Sequence, residues 1–363
     1  MIATATINRP FVPQRQHEPT PLRTLGPSPR RGTATSAKPQ QKHRRSPPAQ
    51  TARGCIVDAK SLLRVKKHRA SPVADPMGAI KYNVDQWVEA NKTYFLPPIC
   101  NKMMHSDGQL KVFYVGGPNV RPDYHLEEGE ELFYMLRGDM LLKVVEHGRA
   151  KDVVIREGEV FLLPGRIPHS PQRKADTVGL VIERERTPQE LDCMRFYLDD
   201  KCQEVLYERW LHCDDLTQGL ANLLHEFMGS EERRTGKPGP NSFLRKPVCE
   251  PDSRVTLHAP FSLDRWLEEH RDELDRDGGK RDLFGKGHQS TIVVLGRGVH
   301  ETQCSGTETF LWQIAGSASV SVAGATFTLA ANDTLLVPAP GYYTLANQLG
   351  GRTLATSMAP KSG

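Results

Sequence analysis

The chain has 363 residues, of which 38% are hydrophobic and 25% charged, with 27 prolines and 30 glycines, an ordinary water-soluble composition for a protein of about two domains. Its apolar runs fall far short of the ~18 residues that cross a bilayer, which excludes a transmembrane protein. Seven cysteines, none in a C-x-x-C pair, argue against a disulfide framework or a cysteine-rich zinc site and favour a reducing compartment.

The N-terminal segment, residues 1–76, is predicted to be a disordered, basic, proline-rich leader. It holds 15 of the 48 Lys and Arg residues but three of the 43 acidic ones, so it carries +12 and the other 287 residues carry −7. Few of its side chains could form a core, so it cannot offset the entropy of ordering. Its Arg-rich, acid-poor composition also fits an organelle transit peptide, although its prolines break any long amphipathic helix.

Two other interpretations of the leader stay open. It could be a dispensable tail, or an over-extended start with Met77 as the natural beginning of the folded protein. Without a transit function, a cytoplasmic location is expected. The mildly acidic remainder of the chain removes the electrostatic basis for binding nucleic acid, so we expect neither a nucleic-acid nor a membrane partner.

Residues 77–186 are predicted to form a β-barrel. Short β-type runs alternate with glycine-containing turns, such as those at Gly117 and Gly138, and this pattern favours an antiparallel barrel or sandwich. The predicted strands are Leu110–Val115, Glu131–Leu136, Met140–Glu146, Val153–Arg156, Glu159–Leu163 and Val178–Glu183.

The next segment, residues 187–285, is predicted to be a partly helical linker. Apolar residues recur at helical spacing from Leu216 to Phe227, with Asp214 or Asp215 as N-cap. A second helical pattern follows Ser262.

Residues 286–363 return to strand patterns and are predicted to repeat the first barrel. The run EVFLLP at 159–164 aligns with DTLLVP at 333–338, and Gly138 aligns with Gly316. The predicted fold class is therefore mainly β, with two barrels joined by a partly helical linker. The predicted strands of the repeat are Ile292–Leu295, Phe310–Ile314, Ala318–Val322, Thr326–Leu329 and Thr334–Val337.

Three residues of the first barrel form a candidate metal site. His125 precedes an acidic turn, Glu131 opens a strand on the same face as Phe133, and His169 lies in a proline-stiffened loop. A carboxylate on an apolar strand face is costly to bury without a cation. Two histidines and one carboxylate are the facial triad that binds Fe(II) and leaves positions open for substrate and oxygen. Taken singly, each residue also has an ordinary interpretation as a surface or loop residue.

The repeat supplies an internal comparison. At the positions of the three candidate ligands, the alignment places Gln303, Thr309 and Tyr343 in the second barrel. His300 and Glu308 lie nearby, but Glu308 falls on the opposite strand face by alternation. We therefore expect one metal ion per chain, bound in the first barrel, and a structural second barrel.

Three further charged residues flank the candidate ligands. Arg121 lies four residues before His125, Arg173 lies four residues after His169, and Glu183 belongs to a strand run. Because a guanidinium matches a carboxylate bidentately, the two arginines suggest an anionic substrate. Surface ion pairs are the alternative.

The motif GGPN-x-R-x-DYH-x5-E, followed by FLLPGRIPHSPQR and VIER, resembles the 3-hydroxyanthranilate 3,4-dioxygenases, a family of cupin enzymes. The likeness extends from Met77 to Pro360 and includes Cys100-Asn101-Lys102 and the run RTGKP at 234–238. It implies two cupin barrels of the double-stranded β-helix (jelly-roll) type. Bacterial relatives with one barrel carry a second iron site built from C-x-x-C motifs. This chain lacks those motifs, so it resembles the animal-type form, which implies a monomer with a single iron.

The resemblance also implies roles for individual residues. Arg173, assisted by Arg121, would hold the ring carboxylate, Glu183 would take part in proton transfer, and Glu131 would border the substrate as well as the metal. The implied correspondences are the ferrous ligands His125, Glu131 and His169, the substrate-contacting residues Arg121, Arg173 and Glu183, and the additional active-site residue Asn101.

The implied reaction inserts both atoms of O₂ across the C3–C4 bond of 3-hydroxyanthranilate. The product, 2-amino-3-carboxymuconate semialdehyde, closes to quinolinate, the NAD precursor of the kynurenine route from tryptophan. Two alternatives stay open: a cupin isomerase or decarboxylase using another metal with the same triad, and a cupin protein that only binds its ligand.

Overall fold

A computed structural model describes residues 73–74, 78–213, 216–303, 306–340 and 342–359. The predicted leader lies outside these ranges except for Val73 and Ala74, and so do the predicted N-cap residues Asp214 and Asp215. In the described ranges, no helix combines the length and the apolar character needed to cross a bilayer.

β-strands dominate the described residues, which confirms the mainly β class. The strands up to residue 163 are β1 (Val73–Ala74), β2 (Ile80–Asn83), β3 (Asn101–His105), β4 (Leu110–Gly116), β5 (Tyr124–Leu126), β6 (Glu131–Arg137), β7 (Met140–Glu146), β8 (Arg149–Ile155) and β9 (Glu159–Leu163). Those that follow are β10 (His169–Arg173), β11 (Val178–Arg184), β12 (Asp192–Tyr197), β13 (Val205–Leu211), β14 (Phe261–Ser262), β15 (Lys280–Asp282), β16 (Ser290–Leu295), β17 (Gly298–Gln303), β18 (Thr309–Ala315), β19 (Ser317–Val322), β20 (Ala325–Ala330), β21 (Asp333–Val337), β22 (Tyr342–Asn347) and β23 (Arg352–Met358).

Two six-stranded antiparallel sheets make up the first barrel. One has the order β14-β9-β6-β11-β4-β3 and the other the order β13-β12-β5-β10-β7-β8. Apolar side chains of both sheets meet inside, among them Phe133, Leu142, Phe161 and Val181. This interior is the alternating inward face that the sequence pattern predicts for a half-buried strand.

The same strand order recurs in the second barrel. Its larger sheet contains β21-β18-β23-β16-β15, matching β9-β6-β11-β4-β3, and its smaller sheet contains β17-β22-β19-β20, matching β5-β10-β7-β8. Strand β2 precedes the first barrel in the chain but pairs with β21 of the second. The chain therefore crosses between the barrels before the first one begins.

The strand register corrects one aligned position of the repeat. Tyr343 occupies the place on β22 that His169 has on β10, but its partner on β17 is Thr302, whereas His169 pairs with His125. The counterpart of His125 is therefore Thr302, and the alignment to Gln303 was wrong by one residue. The connection into β18 has one residue more than the connection into β6, so counting along the sequence misses the register that hydrogen bonding sets.

The segment predicted to be a helical linker begins with two strands, which is a second correction. β12 pairs with β5 and with β13, so the sheet extends to Leu211. These strands bury charge: Nε of Arg195 donates to Oε2 of Glu208 at 2.6 Å, and Nε1 of Trp210 donates to the other oxygen of Glu208 at 2.7 Å. In the sequence, charged residues that form a buried ion pair look the same as charged residues on a solvated surface. The apolar alternation expected of a strand is therefore not visible in β12 and β13.

The helices have 4 to 13 residues, and in the sequence they follow β2, β13 and β14. The predicted helix after Ser262 is present, and Oγ of Ser262 accepts from the backbone N–H of Arg265 at 3.3 Å, a typical N-cap. A 3₁₀ turn covers Lys92–Phe95. The α-helices are α1 (Val84–Asn91), α2 (Leu216–Met228), α3 (Glu231–Thr235), α4 (Leu263–Glu269) and α5 (Arg271–Leu274).

A shared apolar core joins the two barrels. It lies between the larger sheet of each barrel, so residues such as Val112 and Ile182 pack in one cluster with Phe310 and Leu354. Polar groups close its edge, because the backbone N–H of Leu110 donates to Oε2 of Glu308 at 2.8 Å. The two barrels therefore cannot separate without exposing a continuous hydrophobic face.

His105, on β3, lies in this core between aromatic rings. Its ring centroid is 5.4 Å from that of Tyr82 and 6.0 Å from that of Phe310. Among the described residues, nothing hydrogen-bonds to its Nε2. Burial lowers the pKa of His105 to about 4.

Replacing His105 with phenylalanine is expected to make the protein less sensitive to acid. An imidazole in an unfolded chain titrates near pH ~6.5, so below that pH the unfolded state binds more protons than the folded state. The stability is therefore fully present above pH ~6.5 and is lost as the pH falls towards the folded pKa of about 4. Between about pH 7 and pH 5 this residue should account for about 2 kcal/mol of the loss. Urea unfolding at both pH values measures it, with His225→Gln on an exposed position of α2 as control. An identical pH dependence in wild type and His105→Phe would contradict this prediction.

Candidate metal centre

The structure brings the three candidate ligands together inside the first barrel. His125 lies in the middle of β5, Glu131 is the first residue of β6, and His169 is the first residue of β10. β5 and β10 are neighbours, and His125 pairs directly with His169. One ligand atom from each residue lies within 4.8 Å of the other two, and all three residues are buried.

The orientation of His169 is set from both sides of its ring. Nδ1 lies 3.0 Å from the backbone oxygen of Ile167, and Nε2 lies 2.8 Å from Oε1 of Glu131. A carbonyl on the outer nitrogen is the arrangement by which proteins fix the tautomer of a ligating histidine. The inner nitrogen therefore faces the carboxylate across the space in which an ion would lie.

The charge states of Glu131 and His125 suit a metal, whereas the pKa of His169 is raised because the charge of Glu131 opposes the effect of burial. Burial raises the pKa of Glu131, but the neighbouring imidazole of His169 outweighs burial and holds this pKa well below its usual value. Burial lowers the pKa of His125. Glu131 is thus an ionised carboxylate and His125 a neutral imidazole, the forms that bind metal ions.

An unsatisfied atom marks the same place. Oε1 of Glu131 is buried and, although close to His169, receives no hydrogen bond of acceptable geometry from the residues that the structure describes. A buried carboxylate oxygen without a donor is costly. A divalent cation among these three side chains would remove that cost, so the residues present fit a metal of the facial-triad type.

The two predicted arginines have different surroundings. The guanidinium of Arg121 is bound by Asp123, with Nε 3.1 Å and 3.0 Å from the two carboxylate oxygens, and Asp123 is fully buried. Arg173 is also buried, and its Nε donates to the backbone oxygen of Gly116 at 2.7 Å. No acidic side chain of the described ranges forms an ion pair with Arg173. Burial and the charge of Arg121 lower the pKa of Arg173 to about 10.

Asn101 begins β3 and lies opposite Val115. This is the sheet edge next to Gly116, the backbone partner of Arg173. Cys100 precedes Asn101 in a left-handed backbone conformation, with φ 56°. Its thiol is close enough to Arg173 for the guanidinium to affect its pKa, although burial is the larger influence and raises it. Asn101 is thus at the arginine end of the site rather than at the metal end.

Glu183 belongs to a second, acidic group around Glu131. Oxygens of Glu127, Glu131 and Glu183 lie within 4.8 Å of one another, and all three residues are buried. Burial raises the pKa of Glu183 to about 7, opposed by the charge of Arg186. The acidic turn before β6 is therefore not a solvated surface.

Two residues of the site were missed from the sequence. Arg186 contacts Glu127, Glu183 and Asp192 at 2.6 to 2.8 Å, and Oδ2 of Asp192 lies 2.8 Å from Nε2 of His125. The run Glu183-Arg184-Glu185-Arg186 could have drawn attention to Arg186, since four alternating charges directly follow an apolar strand. Asp192 has no such signal, because it lies within the segment 187–285 that the sequence predicts to be a linker.

Comparison with known proteins finds relatives that match most of the described part of the chain. The sequence profile of the 3-hydroxyanthranilic acid dioxygenase family matches residues 77–228. The 3-hydroxyanthranilate 3,4-dioxygenase of Rattus norvegicus is 47% identical over 277 residues, which cover 76% of this chain and 96% of that protein. The enzyme of the same name from Homo sapiens is 46% identical over 280 residues, 77% of this chain and 96% of that protein.

More distant matches are also found. The Nematostella vectensis protein of that name is 44% identical over 273 residues, 75% of this chain and 97% of that protein. Among solved structures, oxalate decarboxylase from Bacillus subtilis aligns with 17% identity and a TM-score of 0.38, covering 77% of this chain and 71% of that one.

The β-barrel and its buried histidine–glutamate group define a cupin of the metal-dependent class. The sequence identity of the chain to the Rattus norvegicus and Homo sapiens enzymes extends over nearly their whole length, and this assigns the family more specifically than the fold does. The chain belongs to the 3-hydroxyanthranilic acid dioxygenase family.

Replacing Glu131 with glutamine is expected to weaken metal binding at least about 100-fold, more than loss of an outer hydrogen-bond partner costs. The neighbouring Glu130 supplies a matched control, since it is equally buried but accepts from the backbone N–H of Ser290 at 2.8 Å. Metal content after anaerobic loading and desalting should fall in Glu131→Gln and stay at the wild-type level in Glu130→Gln. A metal content unchanged in Glu131→Gln would remove Glu131 from the ligand set.

Proposed function

We propose that this chain is a non-haem Fe(II) dioxygenase that opens the ring of 3-hydroxyanthranilate with O₂. The product would be 2-amino-3-carboxymuconate semialdehyde, which closes to quinolinate on the route to NAD. The observation that carries the proposal is a buried facial-triad donor set whose member His169 shares a face of β10 with Arg173, an arginine without an acidic ion-pair partner among the described residues. Membership of the 3-hydroxyanthranilic acid dioxygenase family supports the same reaction.

The proposed metal ligands are His125, Glu131 and His169, holding one ion per chain. When bound, Fe(II) would supply Lewis acidity towards the substrate hydroxyl and redox chemistry towards O₂. The protein would contribute three ligands that carry one negative charge and lie in a buried site. Three protein ligands leave coordination positions of the cation free for substrate.

Arg173 is proposed to bind the substrate carboxylate. His169 and Arg173 are the two ends of β10 and point to the same side of the sheet, with about 13 Å between their Cα atoms. A separation of that size is wide enough for one aromatic ring to lie between the two side chains. The fork of a buried guanidinium pairs strongly with a carboxylate, so the ring would be fixed in one orientation with its hydroxyl towards the ligands.

Arg121 is proposed to support this orientation from the loop that precedes β5. Its charge reaches both Arg173 and the ligand Glu131, while Asp123 holds its guanidinium in place. Asn101 would complete the wall at the carboxylate end of the substrate.

Glu183 is proposed to move protons during the reaction. Its side chain lies beside the ligand Glu131, and burial raises its pKa to about 7. A carboxyl group with such a pKa can accept the proton of the substrate hydroxyl or amine and return it near neutral pH.

The second barrel is proposed to be structural and the protein to be a cytoplasmic monomer. The shared core covers the larger sheet of the first barrel from within one chain, so no second chain is needed to bury this face. The five described cysteines are free thiols, in keeping with a reducing compartment.

The reaction can be tested by anaerobic loading with Fe(II) and addition of 3-hydroxyanthranilate, followed by O₂. Consumption of one O₂ per substrate with loss of the aromatic absorbance is expected. Binding of the substrate without O₂ uptake would point instead to a binding protein. Turnover without O₂ would point to an isomerase or decarboxylase.

The role of Arg173 can be tested with two substrates that differ only in the carboxylate. Arg173→Ala is expected to lower kcat/KM for 3-hydroxyanthranilate by about 100- to 1000-fold, since hydrogen bonds to a charged group contribute about 1.5–3 kcal/mol each. The same variant should leave kcat/KM for 2-aminophenol, which has no carboxylate, nearly unchanged. Arg166→Ala, which removes an arginine paired with Asp252, is the control. Equal losses for both substrates would contradict the carboxylate contact.

A further inference from the structure

Arg186 is the most highly connected charge in the first barrel. It lies two residues beyond the end of β11, and its side chain is 4% exposed. Its Nη1 is 2.7 Å from Oε1 of Glu183, and its Nη2 is 2.6 Å from Oε2 of Glu127 and 2.8 Å from Oδ2 of Asp192. One guanidinium thus meets three carboxylates that would otherwise be buried beside one another.

The contact with Asp192 is bidentate. Nε of Arg186 donates to Oδ1 at 2.9 Å and Nη2 donates to Oδ2 at 2.8 Å. Two parallel hydrogen bonds fix the plane of a carboxylate as well as its position. Asp192 therefore has one orientation, and that orientation aims Oδ2 at Nε2 of His125, 2.8 Å away.

The backbone reinforces this path from Arg186 to His125. Asp192 is the first residue of β12, and two residues further on Met194 pairs with His125 itself. The strand that carries the carboxylate is therefore hydrogen-bonded to the strand that carries the histidine. Arg186 is thus linked to His125 through Asp192, whose side chain contacts the imidazole and whose strand pairs with the strand of His125.

The same guanidinium plane holds Glu183. Because the fork is rigid, a position of Arg186 that satisfies Asp192 also determines where Oε1 of Glu183 lies. A lysine has one point of charge and cannot reproduce three contacts in one plane.

We propose that Arg186 is a positioning residue that sets the orientation of His125 through Asp192 and of Glu183 by direct contact. This inference rests on the proposed function, since it takes His125 as a metal ligand. It assigns Arg186 and Asp192 to the metal centre, and it means that the β12 strand, which follows the first predicted barrel in the chain, completes that centre.

A structural ion pair two residues earlier supplies the matched control. Arg184 is as deeply buried as Arg186 and pairs bidentately with Glu190, at 2.7 Å and 2.6 Å. Its side-chain hydrogen bonds go to Glu190 and to a backbone oxygen. Loss of Arg184 therefore reports what a buried ion pair contributes to stability here, without the path to His125.

The experiment compares Fe(II) affinity, by anaerobic competition with a chelator, among wild type, Arg186→Gln, Arg186→Lys, Asp192→Asn, the double variant Arg186→Gln/Asp192→Asn, and Arg184→Gln. Melting temperatures of the metal-free proteins are measured in parallel.

Arg186→Gln and Asp192→Asn are each expected to weaken Fe(II) binding about 10- to 100-fold, and Arg186→Lys is not expected to restore it. The double variant should be no weaker than the weaker single variant, because Arg186 acts through Asp192. Arg184→Gln should lower the melting temperature as Arg186→Gln does, with Fe(II) affinity within about threefold of wild type.

A kinetic measurement tests the second contact. With iron saturating, Arg186→Gln should lower kcat for 3-hydroxyanthranilate more than it raises KM, since Arg173 still holds the carboxylate while Glu183 has lost its partner.

Several results would overturn the inference. Fe(II) affinity of Arg186→Gln equal to that of Arg184→Gln would make Arg186 a structural residue, and losses that multiply in the double variant would mean that it does not act through Asp192. If wild type binds Fe(II) and Glu131→Gln does not, these results reject the positioning role and leave the proposed function standing. If wild type binds no Fe(II), both are rejected.

Discussion

The first barrel depends on compensating buried negative charge. Four carboxylates, those of Glu127, Glu131, Glu183 and Asp192, lie in its interior, and one guanidinium, that of Arg186, pairs with three of them. Glu131 is the fourth, and it lies among the two imidazoles and the carboxylates of Glu127 and Glu183 without an arginine or lysine ion pair among the described residues. Such a group is expensive in an apolar interior unless a cation completes it. The strand register, the conformation of the acidic turn and the position of β12 all serve to place these charges.

The two barrels show what happens when that constraint is present or absent. In the second barrel, strands of the same order meet around Leu311, Val320, Leu335 and Leu345, all fully buried. Buried neutral side chains in this barrel, those of Gln313, Asn347 and Thr353, hydrogen-bond to one another. In the first barrel, the apolar cluster around Leu142 and Phe161 fills one part of the interior, and the charged group occupies the other. A duplicated architecture thus carries the candidate metal centre in one of its barrels, and the face between the two barrels is sealed by the shared core.

The parts predicted most accurately from the sequence are those that local patterns determine. The boundaries of β7 and β9 agree with the predicted Met140–Glu146 and Glu159–Leu163, because alternation and glycine turns act within a few residues. The N-cap at Ser262 follows from the same kind of local rule. The triad could be proposed because Glu131 opens an apolar strand, His169 follows a proline-stiffened loop, and His125 directly precedes the acidic turn. The pairing of Thr302 with Tyr343 could not, since a loop one residue longer shifts the register without a trace in either strand.

The amino-acid sequence by itself determined the mainly β class, the repeat, and the residue types that face one another across β5, β6 and β10. Only the tertiary structure decided that Asp192 and Arg186 belong to the same centre, that Arg121 is paired with Asp123, and that Arg173 has no acidic partner among the described residues. The reason is physical. Alternation tells which side of a strand a residue is on, but the partner of a buried charge is chosen by three-dimensional proximity and by the cost of leaving that charge alone, and neither is visible along the chain.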